Sequence, residues 1–253
     1  MVKNLNMIEK KILGINLNED TQLNLLKEFE IFYNEIPFKD QKIESLRYNF
    51  INDWYSYCDA IFLYSMIRYS KPKKIIEVGS GFSSAVSMDT NDLFFNSEIN
   101  LEFIEPSPSR LIGLMNENDK SKYKIHQTKV EDLPTEIFES LESGDILFID
   151  SSHKFSYGND LYYLFFKVIP KLKKGVLIHF HDIFFPFEYS KEAIDSKITW
   201  DEIYFLKNFL MFNESFEIKI FSDFISKFHK NKLEKLPLCL KNTGGNIWIE
   251  KIN

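Results

Sequence analysis

Short apolar runs and longer amphipathic stretches alternate along most of this chain, and the alternation begins abruptly near residue 73. The runs Ile75–Val78, Leu101–Ile104, Tyr123–His126, Ile146–Ile149 and Val176–Phe180 are apolar nearly throughout rather than at every second position. That pattern marks strands buried on both faces, as in a parallel sheet covered by helices. Between the runs, helical spacing predicts helices near residues 84–95, 107–117, 134–142 and 157–169. The last third predicts a helix starting near Trp200 and two more strands, Phe216–Phe221 and Asn246–Glu250. With no crossover of typical length between them, these two are expected as an antiparallel pair at the sheet edge. Upstream of residue 73 the pattern is helical. Leu25, Leu26, Phe29, Phe32 and Tyr33 recur at that spacing, as do Ile61, Tyr64 and Ile67, and proline in Ser70-Lys71-Pro72 stops the second helix. The expectation is an α/β fold: a doubly wound, mostly parallel seven-stranded sheet with an antiparallel edge strand in residues 71–253, after a helical extension in residues 1–70.

Composition narrows the function classes. A chain of 253 residues, 44% hydrophobic, holds one large domain with a smaller appendage. Its formal net charge of -6 provides no global field to attract nucleic acid, and Lys171-Leu172-Lys173-Lys174 reads as a solvated helix end. The 25 phenylalanines read as a compositional bias of the genome rather than as a binding face. Cys58 and Cys239 have no metal-like or redox-like spacing, which suits a reducing compartment and two packed thiols. Residues Met1–Asn6 lack the apolar region of a secretion signal, and no apolar stretch is long enough for a bilayer, so the cytoplasm is the expected address.

The chemistry is expected where such sheets bind ligands, outside the carboxyl ends of their strands. There the first strand runs into Glu77-Val78-Gly79-Ser80-Gly81-Phe82-Ser83-Ser84. The two glycines permit a tight turn and close backbone approach to a ligand, and Ser83 or Ser84 is suited to cap the next helix. Glu105 ends the second strand, where a carboxylate accepts hydrogen bonds from ribose hydroxyls. A dinucleotide site of the NAD type would carry a third glycine where Ser84 stands.

The segment Glu77–Ser83 resembles motif I of class I S-adenosylmethionine (SAM)-dependent methyltransferases, in the form E-x-G-x-G-x-S. The resemblance extends to the branch called methyltransferase domain 24. It is carried by an Asp53-Trp54-Tyr55 entry helix, Ile149-Asp150-Ser151-Ser152-His153, His181-Asp182-Ile183-Phe184-Phe185-Pro186, Trp200-Asp201-Glu202-Ile203-Tyr204 and Gly244-Gly245-Asn246-Ile247-Trp248. It implies a Rossmann-like fold and SAM as cofactor. Glu77, Gly79, Ser80, Gly81 and Ser83 would form the cofactor loop, Glu105 would hold the ribose, and Asp150 would orient the amino group. Adenine falls to Val130 and Glu131, because Lys129 stands where many relatives carry an aspartate.

Two strand ends concentrate polar groups: Asp150-Ser151-Ser152-His153 and His179-Phe180-His181-Asp182. Methyl transfer from a sulfonium is an in-line displacement, so orientation of the acceptor dominates. A hydroxyl acceptor also has a proton to lose. His153 and His181, with Asp150, are the catalytic candidates, either as bases or as hydrogen-bonded supports, while His179 is expected to pack within its strand. Some O-methyltransferases of this fold hold a divalent metal through acids at the ends of strands four and five, which names Asp150 and Asp182 as candidate ligands. The third oxygen ligand of those relatives has no counterpart, since Ile183 follows Asp182. The expected acceptor is a small molecule or saccharide hydroxyl, with N-methylation as a further option and neither nucleic acid nor membrane as partner. An aminopropyl transfer from a decarboxylated SAM analogue and a non-catalytic SAM-binding scaffold are the alternatives. Phe184, Phe185, Phe187, Tyr189 and Trp200 are expected as a lid, an acceptor wall or plain loop packing. The N-terminal helices would close over the site or make a homo-oligomer contact.

Overall fold

The computed structural model describes residues 9–195 and 200–253. Two helices, α1 (Glu19–Tyr33) and α2 (Tyr57–Ser70), precede the first strand. There follow β1 (Lys74–Val78), α3 (Phe82–Phe94), β2 (Asn100–Ile104), α4 (Ser109–Leu114), α5 (Asp119–Lys122) and β3 (Lys124–His126). Next come α6 (Glu136–Glu139), β4 (Ile146–Ile149), α7 (Asp160–Tyr163) and β5 (Leu177–His181). The chain closes with α8 (Lys191–Asp195), α9 (Glu202–Leu210), β6 (Phe216–Phe221), α10 (Ser222–Phe228), α11 (Lys230–Leu233) and β7 (Asn246–Lys251). The strands form one sheet in the order β3-β2-β1-β4-β5-β7-β6. Strands β1 to β5 are parallel, and β7 runs against both β5 and β6. This is the expected Rossmann-like α/β sheet; in its antiparallel edge pair β7 is the reversed strand and β6 lies outside it. The order reverses between β1 and β4, which opens a crevice at their carboxyl ends.

Local chemistry shifts several expected helix boundaries. Pro106 and Pro108 delay the helix expected over 107–117 to Ser109, and the extended backbone of Met115 ends it. The helix expected over 157–169 breaks after Tyr163 into a wide turn over 164–168 and a tight one over 169–171, where Pro170 lacks an N–H to continue the ladder. Asp53-Trp54-Tyr55 is a bend rather than a helix. The side chain of Asn52 accepts hydrogen bonds from the N–H groups of Trp54 (3.0 Å) and Tyr55 (2.7 Å), which competes with helical bonding. The cap of α3 uses Ser84 as expected, but from inside the helix: Gly81 occupies the N-cap position and donates its N–H to Ser84 Oγ at 3.0 Å. Ser83 instead donates to Glu77 Oε1 at 2.5 Å.

The extension shares the core of the sheet. Every residue of α2 from Cys58 to Ile67 is buried, and the helix packs against both α1 and α3. A helix covered on all sides is a core element. Its large apolar side chains Ile61, Phe62, Leu63, Met66 and Ile67 contribute on the order of 10 kcal/mol of gross burial energy. Upstream of it, buried Arg47 pairs with Asp89 (2.9 Å), Asp92 (2.8 Å) and Asp119 (2.6 Å). Asp89 also accepts from the N–H groups of Arg47 and Tyr48, and Tyr48 Oη donates to the carbonyl of Tyr55 at 2.7 Å. No helix among the described residues is long and apolar enough to cross a membrane.

Candidate functional site

Register brings the polar strand ends together. Val78 lies beside both Ile104 and Ile149, and Ile149 beside Phe180, so Gly79, Glu105, Asp150 and His181 emerge on one edge. Backbone bonds continue past the strands: Gly79 N–H donates to Ile104 (3.0 Å), Glu105 N–H to His126 (3.0 Å) and Asp150 N–H to Val78 (2.9 Å). Gly79 has φ +80°, and a Cβ there would stand 1.7 Å from the Asp150 carbonyl oxygen. Only glycine satisfies both conditions, so the Gly79–Ser83 loop is fixed by close contact with the neighbouring strand end.

Two hollows adjoin the loop and share Gly79, Glu105 and Asp150 in their lining. One, of about 380 Å³, is lined by the loop from Gly79 to Ser83 and by Glu105, Asp150, His153, His181, Asp182 and Trp200. The other, of about 400 Å³, holds Val130 and Glu131 together with Gly79, Glu105 and Asp150. The residues expected at the cofactor thus face one cleft, apart from Glu77, which lies buried beneath it. Glu105 accepts from the N–H groups of Ser80 (3.3 Å) and Ser107 (2.8 Å). Ser80 Oγ and Ser151 Oγ are shielded from solvent and have no hydrogen-bond partner among the described residues. Unpaired polar atoms inside a cleft suit a polar ligand. Burial pushes the Glu77 carboxyl up to about 8, against the hydrogen bonds of Ser83 and Ser84.

At the ends of β4 and β5, His153 and Asp182 both adopt left-handed backbone conformations, with φ of +58° and +55°. Such conformations in residues other than glycine cost roughly 1 kcal/mol or more each and cluster at functional sites. His153 Nε2 lies 3.3 Å from Asp150 and 3.7 Å from Asp182, while its Nδ1 bonds Glu202 at 2.7 Å. Trp200 covers the ring, with centroids 4.3 Å apart. His181 Nδ1 lies 3.5 Å from Asp150 and 3.7 Å from Asp182, and its Nε2 lies 3.7 Å from Asp59. Burial opposes the charge on both rings, but the surrounding carboxylates outweigh it. His153 is held up at about 10, and His181 well above its ordinary value. Asp150 moves the other way: burial resists its charge, yet His181 and His153 hold it far below the carboxylate range. Asp182 is raised, burial prevailing over His181.

The surrounding carboxylates thus favour the charged form of both imidazoles, and an imidazolium donates a proton rather than accepting one. His179 is buried, stacked 4.0 Å from the Phe148 ring, and held uncharged by burial, in keeping with a packed strand residue. One ligand atom each from Asp150, His153 and Asp182 lies within 4.8 Å of the other two, a set that suits a divalent cation. His153 complements Asp182 in this set where the chain lacks the third oxygen ligand.

Asp182 also lines two further hollows. One, of about 950 Å³, is walled by Ile12, Leu13, Phe184, Tyr189, Trp200 and Met211. The other, of about 320 Å³, is polar and contains Asn52, Asp53, Asp59, Asn242 and Thr243. Within the aromatic segment, Phe185 and Phe187 belong to the core against Phe221, while Phe184 and Trp200 stand half-buried at the wall. Residues 196–199 of the expected lid lie outside the described residues. Sequence reasoning missed Glu202, Asp59, Trp54 and Arg110 as members of this site. An acid at the first turn of a predicted helix, inside the segment Trp200–Tyr204, was the available signal for Glu202.

Residues 76–183 match the family model Methyltransf_24, described as a methyltransferase domain. An uncharacterized protein of Archaeoglobus fulgidus is 30% identical over 142 residues, which cover 54% of this chain and 63% of that one. The chain thus matches less than two thirds of that relative's length. Among solved structures, the S-adenosylhomocysteine (SAH)-bound methyltransferase PaMTH1 of Podospora anserina is similar with a TM-score of 0.49 at 14% identity, covering 96% of this chain and 99% of that one. Coclaurine N-methyltransferase bound to N-methylheliamine and SAH has a TM-score of 0.41 at 9% identity, over 94% and 90%.

Proposed function

We propose that this chain, whose residues 76–183 match a methyltransferase-domain family model, is a SAM-dependent methyltransferase acting on the hydroxyl of a small molecule or saccharide. The observation that carries the reading is the shared edge where the Gly79 loop, Glu105, Asp150 and Asp182 meet beside unpaired Ser80 and Ser151 hydroxyls. Glu105 would accept the ribose hydroxyls, Val130 and Glu131 would flank the adenine, and Asp150 would face the cationic end of the cofactor. SAM, when bound, supplies an activated methyl group. What remains for the residues around Asp182 is to hold an acceptor oxygen in line and exclude water. The hollow of about 950 Å³ that reaches Asp182 through Phe184 and Trp200 is the acceptor side in this reading.

A divalent cation on Asp150, His153 and Asp182 is supported by their donor set and by the bond from His153 Nδ1 to Glu202, which would aim Nε2 inward. Such an ion would take the place of the imidazolium proton and lower the pKa of an acceptor hydroxyl. Calorimetry with SAH and with NAD, followed by a SAM-consumption screen over sugars, phenols and amines, tests the assignment. NAD binding without SAH binding would overturn it. Turnover of amines alone would replace the hydroxyl acceptor, and turnover that is indifferent to chelator would remove the cation.

A further inference from the structure

The proposed cofactor carries a sulfonium, an α-ammonium and an α-carboxylate. The hollow of about 380 Å³ beside the loop offers Asp150 and Asp182 to the two cations, while Glu105, also in its lining, serves the ribose in this reading. Against them stands Arg110, the one arginine or lysine among its described lining residues. Its guanidinium carbon sits 3.8 Å from the centroid of the Trp54 ring, and Trp54 is 58% exposed. Its Cδ would be 3.0 Å from a Cβ placed on Gly81, so the side chain runs along the loop itself. Among the described residues no carboxylate pairs with it; the acids near the loop are engaged elsewhere, Glu105 by Ser80 and Ser107 and Asp150 by His153 and His181.

Resting on the SAM reading of this cleft, we infer that Arg110 receives the α-carboxylate of the cofactor and that Trp54 holds the guanidinium in place for it. Stacking on an aromatic face leaves the N–H donors in the guanidinium plane free for a carboxylate. His153 and His181 also line the hollow, but both rings are held by Asp150 and Asp182, which leaves Arg110, among the described lining residues, as the cation with no carboxylate partner of its own. The pairing with Trp54 also gives the extension a part in recognition, because Trp54 comes from the segment before α2 and Arg110 from α4. The assignment makes the site selective for a carboxylated cofactor and separates it from transferases that use a decarboxylated one.

The test compares calorimetric dissociation constants of SAH and of decarboxylated SAH, which lacks only the carboxylate. The unaltered protein should bind SAH roughly tenfold to a hundredfold more tightly, the range for a hydrogen-bonded charged partner. Arg110→Met should abolish that preference while leaving the decarboxylated ligand's affinity unchanged, which also shows that the variant is folded. Arg110→Lys should retain part of the preference, and Trp54→Leu should reduce it. An Arg110→Met protein that keeps the preference, or that weakens both ligands equally, overturns the assignment. If the unaltered protein binds neither ligand, the SAM reading itself fails, a result distinct from a lost preference.

Discussion

Replacing Gly79 by alanine tests the contact on which the cofactor loop is built. The added methyl would stand 1.7 Å from the Asp150 carbonyl oxygen, and the position has φ +80°. Neither partner can turn away freely. Gly79 is tied to Ile104 and Asp150 to Val78 by backbone bonds of 3.0 and 2.9 Å. Left-handed strain costs about 1–2 kcal/mol, and forcing apart packed backbone about 1–3 kcal/mol more. The sum, about 2–5 kcal/mol, corresponds to a fall in Tm of roughly 5–15 °C for a chain of this size. The displaced strand end carries Asp150, so SAH affinity should fall at least about tenfold along with it. Gly113 supplies the control, because it lies in α4 and a Cβ there meets nothing within 4 Å. Gly113→Ala should be neutral or stabilise by about 0.5–1 kcal/mol. Thermal denaturation followed by circular dichroism, with calorimetry for SAH, reads both effects. A Gly79→Ala protein with unchanged Tm and unchanged SAH affinity would refute the reasoning.

Three further outcomes are expected. Glu105→Gln should weaken SAH binding by roughly tenfold, and an unchanged dissociation constant would count against the ribose assignment. Glu202→Gln should lower the affinity for Mn²⁺, measured by calorimetry on the unaltered protein and the variant, by roughly tenfold to a hundredfold. Absence of binding to the unaltered protein, or equal affinity in both, would remove the cation. Glu77 is held at about 8 by burial, above its unfolded value of 4.5, so the folded state retains a proton that the unfolded state releases. Its contribution is present below pH 4.5 and is lost as pH rises through 8, on the order of a few kcal/mol. Glu77→Gln should flatten the fall in denaturant stability between pH 5 and about 9, whereas parallel profiles would contradict the buried, proton-retaining state.

The sheet was legible because its central strands are covered on both faces and therefore continuously apolar. Ile75–Val78 and Ile146–Ile149 left no competing helical pattern. Once those strands are aligned, Gly79, Glu105, Asp150 and His181 must share an edge, which is why the cofactor loop and its first partners could be named. Groups that reach the site through tertiary packing gave weaker signals. Glu202 meets His153 across 49 residues of sequence, and the acid that reaches His181 from α2 sits in a helix that reads as plain core. The resemblance implies a helix at Trp54, and the hydrogen bonds of one asparagine side chain make it a bend instead. Short helices such as α10 and α11 carry too few turns to show a period. The charge preference of the two histidines depends on acids gathered from several elements, so residue type alone leaves base and hydrogen-bonded support as alternatives.

The buried cluster around Arg47 has a reach beyond its own neighbourhood. Asp89 and Asp119 lie in the interior, and without the guanidinium they would be stranded anions in a medium that tolerates none. Arg47 therefore acts as a keystone whose removal propagates along the segment it anchors. Tyr48, next in sequence, fastens the carbonyl of Tyr55, and the residue before Tyr55 is the tryptophan that overhangs the cleft. The geometry over the cleft is thus set at α3 and transmitted through the segment that leads to α2. An inherited or engineered change at Arg47 would surface as a defect in ligand handling, although the side chain lines none of the hollows around Asp182.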